Sequence, residues 1–134
     1  MNRLQKKQNK AAKLVTRAKT RDHVQPILRE LHRLPVKERI CFKIAITVFK
    51  CLNRLGPQYL GELLNSYVPN RSLRSMNENL LVIPTTNLDL GERACSVSGP
   101  MIWNSLESHV RKSPTMATFK KSLKTELFKR SLNH

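Results

Sequence analysis

The chain has 134 residues, 25 Lys/Arg against nine Asp/Glu, and a formal net charge of +16. Hydrophobic residues make up 40% and aromatic residues 5%, enough for one domain whose core is expected to be aliphatic, with a few Phe and one Trp. Cys41, Cys51 and Cys95 form no CxxC pair and no even disulfide framework, which predicts a reduced, intracellular protein. The N-terminus lacks an apolar h-region, and the run from Ile40 to Phe49 is too short for a bilayer and is interrupted by Lys43, so neither a secretory signal nor a membrane partner is expected. The charge is unevenly placed. Residues 1–21 hold eight Lys/Arg and no acid, residues 111–134 hold seven against Glu126, and the middle holds ten bases and eight acids. Basic ends on a nearly balanced centre point to a polyanion, most commonly nucleic acid.

Residues 3–18 read as an amphipathic helix with Leu4, Ala11, Val15 and Ala18 on an apolar face. Lys6, Lys10, Lys13 and Arg17 form a basic face on the same helix. Cations stacked along a helix repel one another, and phosphates would relieve that repulsion. Asp22 is placed to cap the next helix, in which Pro26 fits the first turn and Ile27, Leu28 and Leu31 face inward. The stretch 35–55 has the longest helical periodicity: Val36, Ile40, Ile44, Val48 and Leu52, widened by Phe42, Ala45, Ile46, Phe49, Cys51 and Leu55. Its one polar seam is Arg39, Lys43, Thr47, Lys50 and Arg54, so it is expected to be a central helix surrounded by the others and ended by Gly56-Pro57.

Pro57 then opens a short helix bearing Leu60, Leu63 and Leu64. The polar run 65–79 reads as a loop in which Arg71 and Arg74, with interleaved Ser, could hold a phosphate. Leu80 to Ile83 reads as a strand, residues 92–98 fit strand or helix, and Gly99-Pro100 reads as a break before a short helix with Met101, Ile102, Trp103 and Leu106. Trp103 is expected to be a core anchor, with a base-stacking platform as the weaker alternative. Ser113-Pro114-Thr115 starts a last helix whose inner face is Met116, Phe119, Leu123 and Leu127, with Lys120, Lys121 and Lys124 off that face. The reading is a mainly α protein, a small helical bundle around a central helix, with at most one short strand or hairpin near 80–97. It is taken as one domain, 1–134: a basic helix in 1–21, a helical core 22–64, a loop 65–79, a strand/helix insert 80–110 and a basic helix 113–130.

No catalytic constellation is legible. The carboxylates form no metal-binding pair, His23, His32, His109 and His134 are scattered, no Cys/His spacing fits zinc, and only four Gly occur. No catalytic residue, cofactor, metal or small-molecule substrate is expected. Cys95 is expected to be an inert thiol.

The stretches LHRLPVKERICFKIAITVFKCLNRLGPQYLGELL (31–64), NRSLRS (70–75), LLVIP (80–84), GERACSVSGPMIWNSL (91–106) and SPTMATFKKSLKTELF (113–128) occur in one order. Together they resemble the C-terminal end of the reverse transcriptase of LINE-type (non-LTR) retrotransposons, and RLQKKQNKAAKLVTRAKTRDHVQPIL (3–28) is similar to the segment after that family's palm. The resemblance implies a helical thumb and post-thumb region that grips a template–primer duplex, without the Tyr-x-Asp-Asp carboxylates of the RNA-directed DNA polymerase. It also lacks the Cys/His zinc knuckle that some relatives place near this end. On this reading Met1 falls inside a normally internal segment, as in a 5′-truncated element. The expected function is backbone-directed, sequence-independent binding of an RNA–DNA or RNA duplex through Lys6, Lys10, Lys13, Arg17, Arg71, Arg74, Lys120, Lys121 and Lys124. A palm domain is a further possible partner. The alternatives are a helical docking bundle and a truncated remnant with no function of its own.

Overall fold

The computed structural model describes residues 2–69, 78–86, 91 and 94–132. Among these the chain is helical, with no strand or sheet: α1 (Asn2–Thr16), α2 (Val24–Glu30), α3 (Val36–Leu52), α4 (Gln58–Gly61), α5 (Cys95–Asn104), α6 (Ser108–Arg111) and α7 (Met116–Leu132). The fold divides into two compact units. The first comprises Met1–Phe42 and Lys124–His134, the second Lys43–Leu123, so α3 and α7 supply residues to both.

In the first unit α1 packs along α2. Ala12, Ile27 and Leu28 are buried at the junction, with Ala18, Val24 and Leu31 partly buried against them. Pro26 sits in the first turn of α2, as its fixed φ allows. Asp22 does not cap this helix. Its carboxylate accepts from Lys19 N at 2.7 Å instead, closing the 19–22 turn, and His23 stands at the N-cap without a side-chain bond. The last turns of α7 bury Leu127 and the carboxylate-bearing Glu126, which is paired with Arg130 one turn on.

Three helices end on a basic residue in the left-handed region: Arg17 (φ 54°), His32 (φ 49°) and Arg54 (φ 57°). Each end carries the same two backbone bonds. Arg17 N donates to Leu14 O and Ala18 N to Lys13 O; His32 N to Arg29 O and Arg33 N to Leu28 O; Arg54 N to Cys51 O and Leu55 N to Lys50 O. These are Schellman closures, which satisfy carbonyls left over at a helix end and usually employ Gly. Gly56, expected to end α3, has no positive φ. It supplies room: a Cβ there would lie 3.0 Å from Cys51 Sγ and 3.2 Å from Cys51 N.

The second unit is centred on three rings. Phe49 stacks on Phe119 with centroids 4.3 Å apart, and Trp103 lies 6.5 Å from Phe49 and 5.8 Å from Phe119. Val48, Val97, Leu106, Val110 and Leu123 are buried in the same unit. The centre of this core is thus aromatic rather than aliphatic, because the few rings of the chain are concentrated there. Trp103 is 1% exposed, which makes it a core anchor and removes it as a base-stacking platform. Gly99 and Pro100 do not break the chain; both are buried inside α5. Gly99 serves close approach, since a Cβ on it would meet Val48 Cγ2 at 3.2 Å. α3 is not wrapped on all sides: Ala45, Val48 and Phe49 are buried, while Ile40 and Leu52 are exposed. Its polar seam at Arg39, Lys43, Lys50 and Arg54 faces solvent as expected.

The run from Leu80 to Ile83 is reduced to an isolated antiparallel bridge between Leu81 and Ser66. Tyr67 N donates to Leu80 O and Val82 N to Asn65 O on that side. The other side is taken by a side chain. Leu81 N donates to Asn104 Oδ1 at 2.9 Å, and Asn104 Nδ2 donates to Leu81 O at 2.8 Å. An amide that reproduces a strand's donor and acceptor leaves no edge for a further strand. Neighbouring groups hold the rest of the segment. Trp103 Nε1 donates to Asn79 O at 2.7 Å. Arg111 Nε donates to Glu78 O, its Nη1 to the carbonyls of Asn104 and Leu106, and its Nη2 pairs with the Glu78 carboxylate at 3.3 Å. Arg111, counted by sequence among the terminal cations, is 6% exposed and structural.

Replacing Asn104 with Ala strands the N–H and C=O of buried Leu81 and is expected to cost about 2 kcal/mol. Arg111→Met should cost a similar amount, about 2–3 kcal/mol, because three carbonyls and a carboxylate lose their donor. Arg111→Lys should fail to rescue, having no fork. Urea unfolding midpoints at unchanged m-value measure both.

Candidate nucleic-acid interface

The inner face of α1 is polar, and that fixes which face remains outside. Gln5 Oε1 accepts the Val36 N–H at 2.8 Å, satisfying an otherwise orphan donor at the start of α3. Gln5 Nε2 donates to Gln8 Oε1 at 3.1 Å and to Asn9 Oδ1 at 2.7 Å, and Gln8 Nε2 donates to Leu34 O at 2.9 Å. Gln5, Gln8 and Ala12 thus turn inward. At about 100° per residue, Lys6, Lys10 and Arg17 lie roughly 130–170° round the helix from that line. All three are exposed. The face expected to be apolar and inward does not pack: Leu4 is 61% and Val15 71% exposed, and only Ala18 of that set is partly buried.

Within the basic face the four cations are not equivalent. Lys6 and Lys10 have no side-chain partner among the described residues. Lys13 is half-buried and its Nζ donates to Thr20 O at 2.6 Å, tying the turn after α1 back onto the helix. Arg17 carries the left-handed closure of α1 while its side chain is exposed. The four span twelve residues, about 16 Å along the axis. Over such a length a duplex presents on the order of nine phosphate charges. The first unit as a whole carries 15 Lys/Arg and four Asp/Glu, a net of +11 out of +16.

Arg71 and Arg74 lie outside the described residues. Lys120 and Lys121 are exposed on α7 in the second unit. Lys124 belongs to the first unit and is half-buried, its Nζ 6.0 Å from the Phe128 ring centroid. The structure therefore brings together the α1 set. The residues sequence reasoning missed are Gln5 and Gln8, the positioning groups. The signal was present as Gln5, Gln8 and Asn9 at i, i+3 and i+4, a polar stripe to which the sequence reading gave no role.

Burial disfavours the thiolate form at Cys41 and Cys51. Burial, then Glu38, pushes the Cys41 thiol up; burial, then Cys95, pushes Cys51 up. Among the described residues no three His, Cys, Asp or Glu come together to hold a metal ion, and no helix is long and apolar enough to cross a membrane. No protein-family model, no curated protein and no solved structure matches the chain.

Arg17 separates two roles that one substitution can pull apart. Arg17→Gly relieves the left-handed cost, about 1 kcal/mol, while removing a cation. It is expected to raise the melting temperature and weaken duplex binding together. Arg17→Ala should weaken binding equally without the thermal gain. Thermal melting and fluorescence anisotropy on the same samples check this.

Proposed function

We propose that the chain is a non-catalytic thumb and post-thumb portion of a LINE-type reverse transcriptase, and that it binds duplex nucleic acid through the phosphate backbone. The observation that carries this reading is the outward basic face of α1, held there by the Gln5–Val36 and Gln8–Leu34 bonds on the opposite side. The family part of the reading rests on the ordered sequence stretches from residue 3 to residue 128, which have no polymerase carboxylate motif among them.

Lys6 and Lys10 provide free ammonium groups, and Arg17 a guanidinium that can fork onto a phosphate. Lys13 contributes charge from its latch on Thr20. Lys120, Lys121 and Lys124 on α7, and Arg71 and Arg74, are proposed as additional phosphate contacts. The α1 face offers few side chains able to read base edges, so the reading is one of shape and charge, suited to an RNA–DNA hybrid or an RNA duplex. A palm domain of the same enzyme class is the proposed protein neighbour.

The expected dissociation constant for an RNA–DNA duplex is about 10⁻⁴ to 10⁻⁶ M near physiological salt, and three or four phosphate contacts give a log–log salt slope of about −3. The double variant Lys6→Glu/Lys10→Glu should lower affinity at least about tenfold and flatten that slope by about 2. It spares Lys13, whose loss would also release Thr20. Anisotropy titrations at several salt concentrations measure both. Unchanged affinity in the folded double variant would remove α1 as the grip.

A further inference from the structure

In the first unit a groove of about 370 Å³ runs between α1 and α2. It is lined by Gln8, Ala11 and Val15 on α1 and by Leu28 and Leu31 from the α2 side, with the exposed Arg33 and Arg39 among the lining residues. The lining is chiefly apolar. Ala11 and Val15 are exposed and one turn apart, and Leu4, 61% exposed, lies on the same side of α1. Arg33 and Arg39 are exposed, and neither guanidinium has a partner among the described residues. A groove of this size lies at the lower end of the range for ligand sites. Apolar surface beside cations without partners among the described residues is complementary to an occupant that is apolar along its centre and anionic along its edges.

We infer that this groove is a docking site for an acidic amphipathic helix of a partner protein. Such a helix sets aliphatic side chains at i, i+3 and i+4 between α1 and α2, as in helix-in-groove recognition. Its carboxylates meet Arg33 and Arg39. Charge complementarity selects this occupant: the unit carries a net +11, so a second copy of the chain, itself +16, is repelled. Nucleic acid does not suit the groove, whose apolar walls present few donors to phosphates. The site lies on a different face of α1 from Lys6 and Lys10, so both ligands can be held at once.

The test uses the full chain and two labelled peptides of identical Leu, Ala and Glu composition. In one, Leu recurs at every third and fourth residue; in the other it is dispersed. The amphipathic peptide should bind saturably and its isomer about tenfold more weakly, since only the former buries aliphatic groups together. Ala11→Gln/Val15→Gln keeps the net charge and alters exposed positions only. It should weaken the amphipathic peptide about tenfold and leave RNA–DNA duplex affinity within about twofold. Arg33→Gln/Arg39→Gln should weaken the peptide and reduce its salt dependence. The inference is overturned if both peptides bind alike, if neither saturates, or if the Gln pair on α1 binds as well as the parent chain. It is equally overturned if the chain self-associates through this face, or if phosphatidylglycerol vesicles displace the peptide, which would make the groove a lipid site.

Discussion

A single amide, that of Gln5, decides how the charged end of this protein is presented. Its oxygen takes the first N–H of α3 and its nitrogen bonds Gln8 and Asn9, while Gln8 reaches Leu34 O. A helix with an apolar stripe would ordinarily bury that stripe. Here the backbone before and at the start of α3, with Leu34 buried, offers donors and acceptors that an apolar face could not satisfy. The Gln face therefore goes inside, Ala12 beneath it, and both the cations and the aliphatic residues of α1 are left outside. The two surfaces argued to be functional are both consequences of that one choice.

The second unit applies the same device to another problem. Its aromatic core, Phe49, Trp103 and Phe119, has next to it an extended segment that lacks a sheet. Asn104 acts as the missing strand for Leu81, Trp103 Nε1 takes Asn79 O, and Arg111 collects the carbonyls of Glu78, Asn104 and Leu106. Side chains on and just after α5 thereby replace the ladder that a sheet would have supplied. Such replacements are costly to lose, because a buried backbone group without a partner forfeits its hydration. Both units thus rely on side chains that complete main-chain hydrogen bonding at a helix end or along an extended segment.

Basic residues serve two unlike ends in this chain. Lys6, Lys10, Arg33 and Arg39 have no charge partner among the described residues, whereas Arg111 and Arg130 bond internal acceptors. Arg17 and Arg54 do something else again, closing helices in a backbone conformation usually given to Gly. A side chain that reaches solvent from a left-handed cap keeps its charge available, so such a position combines helix termination with an exposed cation at a modest conformational cost.

The sequence by itself determined five of the seven described helices and the charge. Apolar spacing placed α1, α2, α3 and α7, Pro57 marked α4, and Met116, Phe119, Leu123 and Leu127 marked the inner line of α7, because helical periodicity and proline geometry are local properties. Lys6, Lys10 and Arg17 were legible as one face for the same reason. Tertiary structure decided which face of each helix turned inward. The Gln5 stripe, the close approach at Gly99 inside α5, the burial of Arg111 and the strand-like role of Asn104 each depend on a partner 23 to 51 residues away or more weakly linked in sequence. A polar side chain reads as solvent-facing until the backbone group it completes is known, and that group is set by packing rather than by its neighbours in the chain.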